Sequence, residues 1–394
     1  MTELQHTIEG GTLTVFLEGK VDTLNSGEIE AGLSALRESC APEKLVIDCE
    51  KLKYISSSGL RVILRAKKSL ADTILVNVSP EVWEIFDMTG FTEMMDIRKA
   101  YRVISVEGCE LIGEGANGKV YRTDPETIVK VYLNPDALPE IHRERELART
   151  AFVRGIPTAI PYDVVRIEGG GYGSVFELLN AKSLAKLLAA GEISEDEAAE
   201  RSVGLLKLIH STPADSDTVP DMKAVALDWA EFLAPSLPEQ KAAKLRSLIG
   251  ALPDDGHFLH GDFHVKNVMM QNDEALLIDM DTLCHGHPVF ELASMYNAYC
   301  GFSELDHSVS PRFLGIPHET AVRLWKKMLA LYLGTDDEER LAEVESRAML
   351  IGHTRLMRRS IRRGGLDTES GRAEIENSKR HICEILDRID TLDF

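Results

Sequence analysis

HGDFHVKN, residues 260–267, sets two histidines, an aspartate, a lysine and an asparagine between the apolar runs FLH and VMM. A solvated surface loop can carry such a mixture without chemical meaning, so its reading turns on what surrounds it. Asp262 and Asn267 lie five residues apart, and ALLID puts Asp279 twelve residues beyond Asn267, at the end of a strand-like apolar run. Phosphoryl transfer needs a carboxylate that orients and deprotonates the attacking hydroxyl, and oxygen ligands that hold magnesium on the phosphates. Asp262 fits the first task; Asn267 and Asp279 fit the second.

Upstream, GEGANGKV spaces Gly113, Gly115 and Gly118 as GxGxxGxV. Glycines let the backbone approach a phosphate and offer it amide groups. A dinucleotide fingerprint has a strand before the glycines and a helix after them, whereas strand patterns stand on both sides here, which favours a kinase-type glycine loop. IVKVY follows with one lysine, Lys130, among apolar neighbours. A strand lysine is commonly a solvated residue, but one just past a glycine loop can reach nucleotide phosphates. The next helix offers Glu140, Glu144 and Glu146 as partners to hold it, and Glu144 is the choice among them.

With these residues assembled, positions 108 to about 300 resemble the aminoglycoside phosphotransferase and choline kinase-like group, a branch of the protein-kinase-like fold. HGDxHxxN carries the likeness most specifically; protein kinases more often have HRDLKxxN, and here Gly261 replaces that arginine and His264 that lysine. The resemblance implies a two-lobed α+β fold with ATP between the lobes. It implies Gly113, Gly115 and Gly118 over the phosphates, Lys130 paired with Glu144, and the backbone from Glu177 to Leu179 against adenine. It also implies Asp262 as catalytic base and Asn267 and Asp279 as ligands to Mg2+. Relatives often continue GDPxxDLA, whereas this chain has Gly286, His287 and Pro288, then Glu291, Leu292 and Ala293. Glu291 is expected to keep an acidic structural role, no task is assigned to His287, and Asp281 is an extra carboxylate for a second metal ligand or a substrate contact. The short route from Asp279 into PVFELA leaves little room for an activation segment, which favours a small-molecule hydroxyl over a protein as acceptor.

The first hundred residues alternate strand and helix patterns: LTVFLEG, EIEAGLSALRESC, KLVIDCE, SGLRVILRAKKSLA, TILVNV and PEVWEIFDMTG. That is the pattern of a small α/β domain with helices covering a sheet. LVIDCEKLKYISSSGLRVIL and VWEIFDMTGF resemble STAS domains of anti-sigma factor antagonists, which switch partners on phosphorylation of one serine in a DSSG loop. Ser57 matches that serine as a possible phosphoacceptor, and Ser56 stands where the aspartate would be. The plain alternative is that the serines cap a helix.

The expected organisation is a STAS-like regulatory domain over 1–102, a kinase-like N-lobe over 103–180 and a helical C-lobe over 181–394. A formal charge of -20 argues against nucleic acid as a partner, because a polyanion is repelled over most of the surface. Six cysteines without CxxC spacing argue for reduced thiols. MTELQHTIEGG has no signal-peptide pattern and no apolar run reaches membrane-spanning length, so no membrane association and a cytoplasmic location are expected. His257, His260, His264, His285 and His287 suggest a metal cluster by count, but the loop motif accounts for His260 and His264, and no zinc is expected there. The run Arg355, Arg358, Arg359, Arg362 and Arg363 reads as a solvated helix face. Two other functional readings remain beside a small-molecule kinase: a protein serine kinase in a partner-switching pathway, and a nucleotide-binding signalling module with little turnover. The full set of glycines, Lys130, Asp262, Asn267 and Asp279 weighs against the last, and a protein partner at the STAS-like domain is left open.

Overall fold

TLTVFLEGKV alternates buried and half-exposed positions along β2 (Thr12–Val21), as a strand inside a sheet with two unlike faces must. The computed structural model describes residues 4–115, 117–179, 181–214 and 218–394. By internal packing the chain divides into two units: Met1–Glu107 with Val164–Gly171, and Gly108–Asp163 with Tyr172–Phe394.

In the first unit β1 (His6–Glu9) runs antiparallel to β2. The chain then continues through α1 (Ser26–Cys40), β3 (Lys44–Ile55), α2 (Ser57–Ser69), β4 (Thr73–Val78), α3 (Pro80–Met88), α4 (Phe91–Met94) and β5 (Ile97–Lys99). The sheet order is β1-β2-β3-β4-β5, parallel from β2 onward. Parallel neighbours need crossovers, and the helices supply them. Register sets Leu13 beside Leu45, Val15 beside Ile47 and Ile47 beside Leu75, all in the core. Leu60, Val62, Ile63 and Ala66 of α2 are buried with them. β6 (Arg102–Ile104) pairs in parallel with Val165–Ile167, so this unit includes a stretch from later in the chain.

The second unit opens with β7 (Glu110–Glu114), β8 (Gly118–Asp124) and β9 (Thr127–Tyr132), followed by α5 (Leu138–Val153). Beyond β10 (Asp163–Ile167) comes β11 (Tyr172–Glu177), and four antiparallel strands line up as β11-β9-β8-β7. On α5 the buried stripe is Ile141, Glu144, Leu147, Ala148 and Ala151. A carboxylate on such a stripe needs a partner, and Glu144 has one.

The rest is mainly helical: α6 (Leu184–Ala189), α7 (Glu195–Ser211), α8 (Met222–Leu233), α9 (Glu239–Gly250), α10 (Val289–Tyr299), α11 (Val309–Phe313), α12 (His318–Leu333), α13 (Glu338–Arg362) and α14 (Glu369–Leu386). Among these helices lie β12 (Lys182–Ser183), β13 (Phe258–Leu259), β14 (Val268–Gln271), β15 (Glu274–Leu277) and β16 (Cys284–His285). Every residue of α10 is buried, as expected of a helix packed on all sides, and its Glu291, Ser294 and Tyr299 turn toward backbone groups described below. Among the described residues no helix is long and apolar enough to cross a membrane.

Candidate active site

β13 pairs antiparallel with β16, Phe258 opposite His285 and Leu259 opposite Cys284, so the segments 260–267 and 279–283 leave one ladder together. Gly261 has φ +81°, and a Cβ there would stand 2.4 Å from the Thr282 carbonyl oxygen. Only glycine fits both demands. Beneath the turn Glu291, fully buried on α10, accepts backbone N–H bonds from His260, Gly261 and Phe263. Burial alone would raise this carboxylate's pKa, but His210, His260 and the Gly261 amide hold it below its ordinary value. Val265 N–H donates to Tyr299 Oη at 2.9 Å, and Phe263 and Val265 are buried anchors. His260 fixes its own tautomer: Nε2–H donates to Ile278 O at 3.2 Å, and Nδ1 accepts from Asp262 N–H at 3.3 Å.

On this support Asp262 faces His264, with 3.6 Å between Oδ2 and Nε2. Burial would raise the Asp262 pKa, but His264, Arg355 and His260 outweigh it and hold the carboxyl down at about 2. It is therefore ionised at neutral pH. Asn267 donates Nδ2–H to Asp262 O at 3.0 Å, which commits the amide nitrogen and leaves its oxygen for another partner.

Lys130 reaches from β9 to Glu144 Oε1 at 2.9 Å and Asp279 Oδ1 at 2.6 Å. Burial opposes its charge, but the two carboxylates raise its pKa above the ordinary lysine value. Tyr132 donates to Glu144 Oε2 at 2.6 Å, fixing the carboxylate from its other side. Of the three glutamates considered for Lys130, the geometry brings Glu144 to it. Asp279 takes a left-handed backbone, φ 62° and ψ 63°, uncommon for a residue with a side chain. With Oδ1 on Lys130, Asp279 keeps a second oxygen, and it and the Asn267 amide oxygen are donors of the kind magnesium takes.

The glycine loop turns between β7 and β8. Gly115 N–H donates to Gly118 O at 2.9 Å, and a Cβ at Gly118 would stand 2.4 Å from Val131 O, so close packing on β9 requires that glycine. Gly113 is in β7 and Gly115 just beyond it, with open space at its Cβ position. Asn117 donates Nδ2–H to Asp281 Oδ2 at 3.2 Å, linking the loop to the segment after Asp279. Asn117, Asp281, Glu140, Arg143 and Glu144 are among the residues lining a cavity of about 400 Å³. Burial and the Asp279 charge push the Asp281 pKa up to about 6. Glu177 closes β11 and Leu179 follows it, while Asn180, the expected lobe boundary, lies outside the described residues.

Some of the supporting contacts were absent from the sequence reading. Arg355, read as part of a solvated face, is half-buried and donates to Gly261 O and Ser294 Oγ, each at 3.0 Å. Ser294 donates to the same carbonyl at 2.8 Å. The spacing of Arg355 from the loop, 94 positions along the chain, gives no local signal of this contact. His287 has a task after all: Nδ1 accepts from Val289 N–H at 3.2 Å and Nε2 lies 3.1 Å from Asp393 Oδ1. In the first unit it is Ser56, not Ser57, whose hydroxyl caps α2 by accepting from Gly59 N–H at 3.4 Å. Ser57 is exposed in the first turn.

The phosphotransferase enzyme family model matches residues 108–331, and the STAS domain model matches residues 3–103. A Bordetella bronchiseptica protein described as an anti-sigma factor antagonist, BtrV, is 34% identical over 91 residues, covering 22% of this chain and 78% of its own. Similar solved structures include the GDP and kanamycin complex of APH(2")-IIia, at 13% identity and a TM-score of 0.47, covering 77% of this chain and 97% of that chain. Another is a thermostable mutant of the aminoglycoside phosphotransferase APH(4)-Ia with AMP-PNP and hygromycin B, at 13% identity and a TM-score of 0.47, covering 71% and 93%. The chain belongs to the phosphotransferase enzyme family, as a kinase of the aminoglycoside phosphotransferase-like group with a STAS domain ahead of it.

Proposed function

We propose that this enzyme transfers the γ-phosphoryl group of ATP, bound with Mg2+, to a hydroxyl of a small molecule. The observation that carries this reading is Lys130 held between Glu144 and Asp279, which poises an ammonium where a nucleotide's phosphates and their metal need charge. In this reading Gly113, Gly115 and Gly118 cover the phosphates, the backbone from Glu177 to Leu179 meets adenine, and Asn267 and Asp279 hold the metal. Magnesium there would neutralise charge developing on the phosphates.

Asp262 orients the acceptor hydroxyl and receives its proton. An ionised carboxylate with a pKa near 2 is a weak base, so it acts chiefly by positioning, and the proton moves late. Only nine residues separate Asp279 from Val289 at the start of α10, room for a 3-10 turn and β16 but not for a protein-docking segment, which supports a small acceptor. Measuring ADP release against amino alcohols, sugars, aminoglycosides and nucleosides tests the reading. The accepted substrate should turn over roughly 100 to 10,000 times more slowly with Asp262→Asn, while nucleotide affinity holds. Equal turnover by that variant contradicts the assignment.

The STAS domain, in the same proposal, regulates or docks the kinase, with Ser57 as phosphoacceptor. Ser56 serves as the cap, which leaves the exposed Ser57 hydroxyl at a helix start where amides and dipole favour added negative charge. Intact-protein mass spectrometry of material from cells and after Mg-ATP incubation should find the phosphate in wild type and lose it in Ser57→Ala. An unmodified Ser57 in both preparations contradicts the proposal.

A further inference from the structure

Glu304, His353 and His381 meet from three separate segments: the turn after residues 301–303, α13 and α14. His381 Nε2 lies 2.7 Å from Glu304 Oε1, His353 Nε2 lies 3.8 Å from Glu304 Oε2, and one donor atom of each residue falls within 4.8 Å of the others. His353 is 0% exposed, and neither ring nitrogen has a hydrogen-bond partner among the described residues. An imidazole carries an N–H donor in either tautomer, and leaving such a group unpaired in the interior costs about 1–3 kcal/mol. A fold that brings a carboxylate and a second imidazole to this point, yet leaves His353 unpaired, is short of one component.

We propose that these three side chains form a binding site for one divalent transition metal of the zinc class, with water in the fourth position. Two imidazoles and a carboxylate suit that class, and donors set tetrahedrally about zinc stand roughly 3.3 Å apart. The observed distances, 2.7 Å from His381 to Oε1 and 3.8 Å from His353 to Oε2 of the same carboxylate, with all three donors within 4.8 Å, are close to this spacing. Asn377 donates to Glu304 Oε2 at 2.8 Å, the kind of outer contact that orients a ligating carboxylate. The His353 and His381 rings stack at 4.3 Å and 10°, which points their lone pairs side by side. Turning His381 about χ2, a torsion with a broad minimum, makes them converge and takes Nε2 away from Arg380 Nη2, now 3.1 Å from it. The site shares no residue with the phosphoryl-transfer set; it ties α13 to α14, so its work is structural. It also differs from the histidines around the 260–267 loop, where no zinc was expected.

Full-length protein stripped with EDTA and titrated with Co2+ in the absence of nucleotide tests this. Wild type should bind one ion per chain with the intense visible bands of a tetrahedral site, and Zn2+ should displace it and raise Tm by about 3 °C or more. His353→Ala leaves a cavity and can fail to fold, so His381→Gln and Glu304→Gln, both at partly exposed positions, carry the test. Each should lose the visible bands and at least about tenfold in affinity, the low end for losing a contact that tunes a metal site. No binding by wild type, or unchanged affinity and stoichiometry in both variants, overturns the site.

Discussion

Lys130 Nζ donates to Asp279 Oδ1 at 2.6 Å while the same ammonium holds Glu144 at 2.9 Å. The residue proposed to carry the metal and the residue proposed to touch the phosphates are thus already paired, and Mg-ATP must exchange one of these contacts for its own oxygens. The Lys130 and Glu144 side chains are 13% and 7% exposed, so their pairing is screened little by solvent.

Lys130→Met should therefore destabilise the second unit by about 3 kcal/mol at neutral pH, because Glu144 is left as a buried charge with Tyr132 as its one remaining partner among the described residues. Adding Glu144→Gln removes that charge and should recover more than half of the loss. Thermal denaturation of the two single variants and the double variant checks this. Additive losses contradict the coupling.

Gly261→Ala forces a Cβ toward Thr282 O in a left-handed turn and should shift Asp262 by a fraction of an ångström or more. Turnover should fall about 100-fold, the scale of a 1 Å misplacement of a reacting group. Nucleotide affinity should fall less than turnover, because Lys130 and the glycine loop lie on other segments. Steady-state kinetics beside nucleotide titration separates the two effects.

Asp281 gives a pH signature. Its folded pKa of about 6 lies above the ordinary carboxylate value, so the folded state binds this proton more tightly than the unfolded state. Its contribution is fully present below about pH 4 and is lost as pH rises through about 6, on the order of 3 kcal/mol in total. Asp281→Asn should remove that decline, which makes the variant relatively more stable at pH 7 than at pH 4 when each is compared with wild type. Melting curves across pH 4–7 read the difference, and parallel profiles contradict it.

Motifs local in sequence were legible. HGDFHVKN, the glycine loop and the alternating first hundred residues announce their elements because each depends on short-range spacing or periodicity. Glu144 was the choice over Glu140 and Glu146, and the structure puts it on the buried stripe with Ile141 and Leu147. What escaped were contacts made at long range. Arg355 reads as one of five arginines on a solvated face, and nothing in RLMRRSIRR says that the first arginine of the run turns inward to Gly261 O. Glu291 was expected to keep a structural acid, but that it collects three N–H groups of one loop follows only from α10 being buried on all sides. The serines of ISSSGL show the same limit: cap and exposed hydroxyl are one position apart, and only the backbone at Ser56, φ -92° and ψ 173°, tells which is which.

Isothermal titration of the full chain with AMP-PNP in the presence of Mg2+ tests the central claim most directly. One site per chain is expected, with a dissociation constant in the range of about 1 µM to 1 mM typical for enzyme substrates. Asp279→Ala, or withdrawal of Mg2+, should weaken it at least about tenfold, as removing a metal ligand or the metal does. Absence of binding by wild type, or equal binding by Asp279→Ala, contradicts the account.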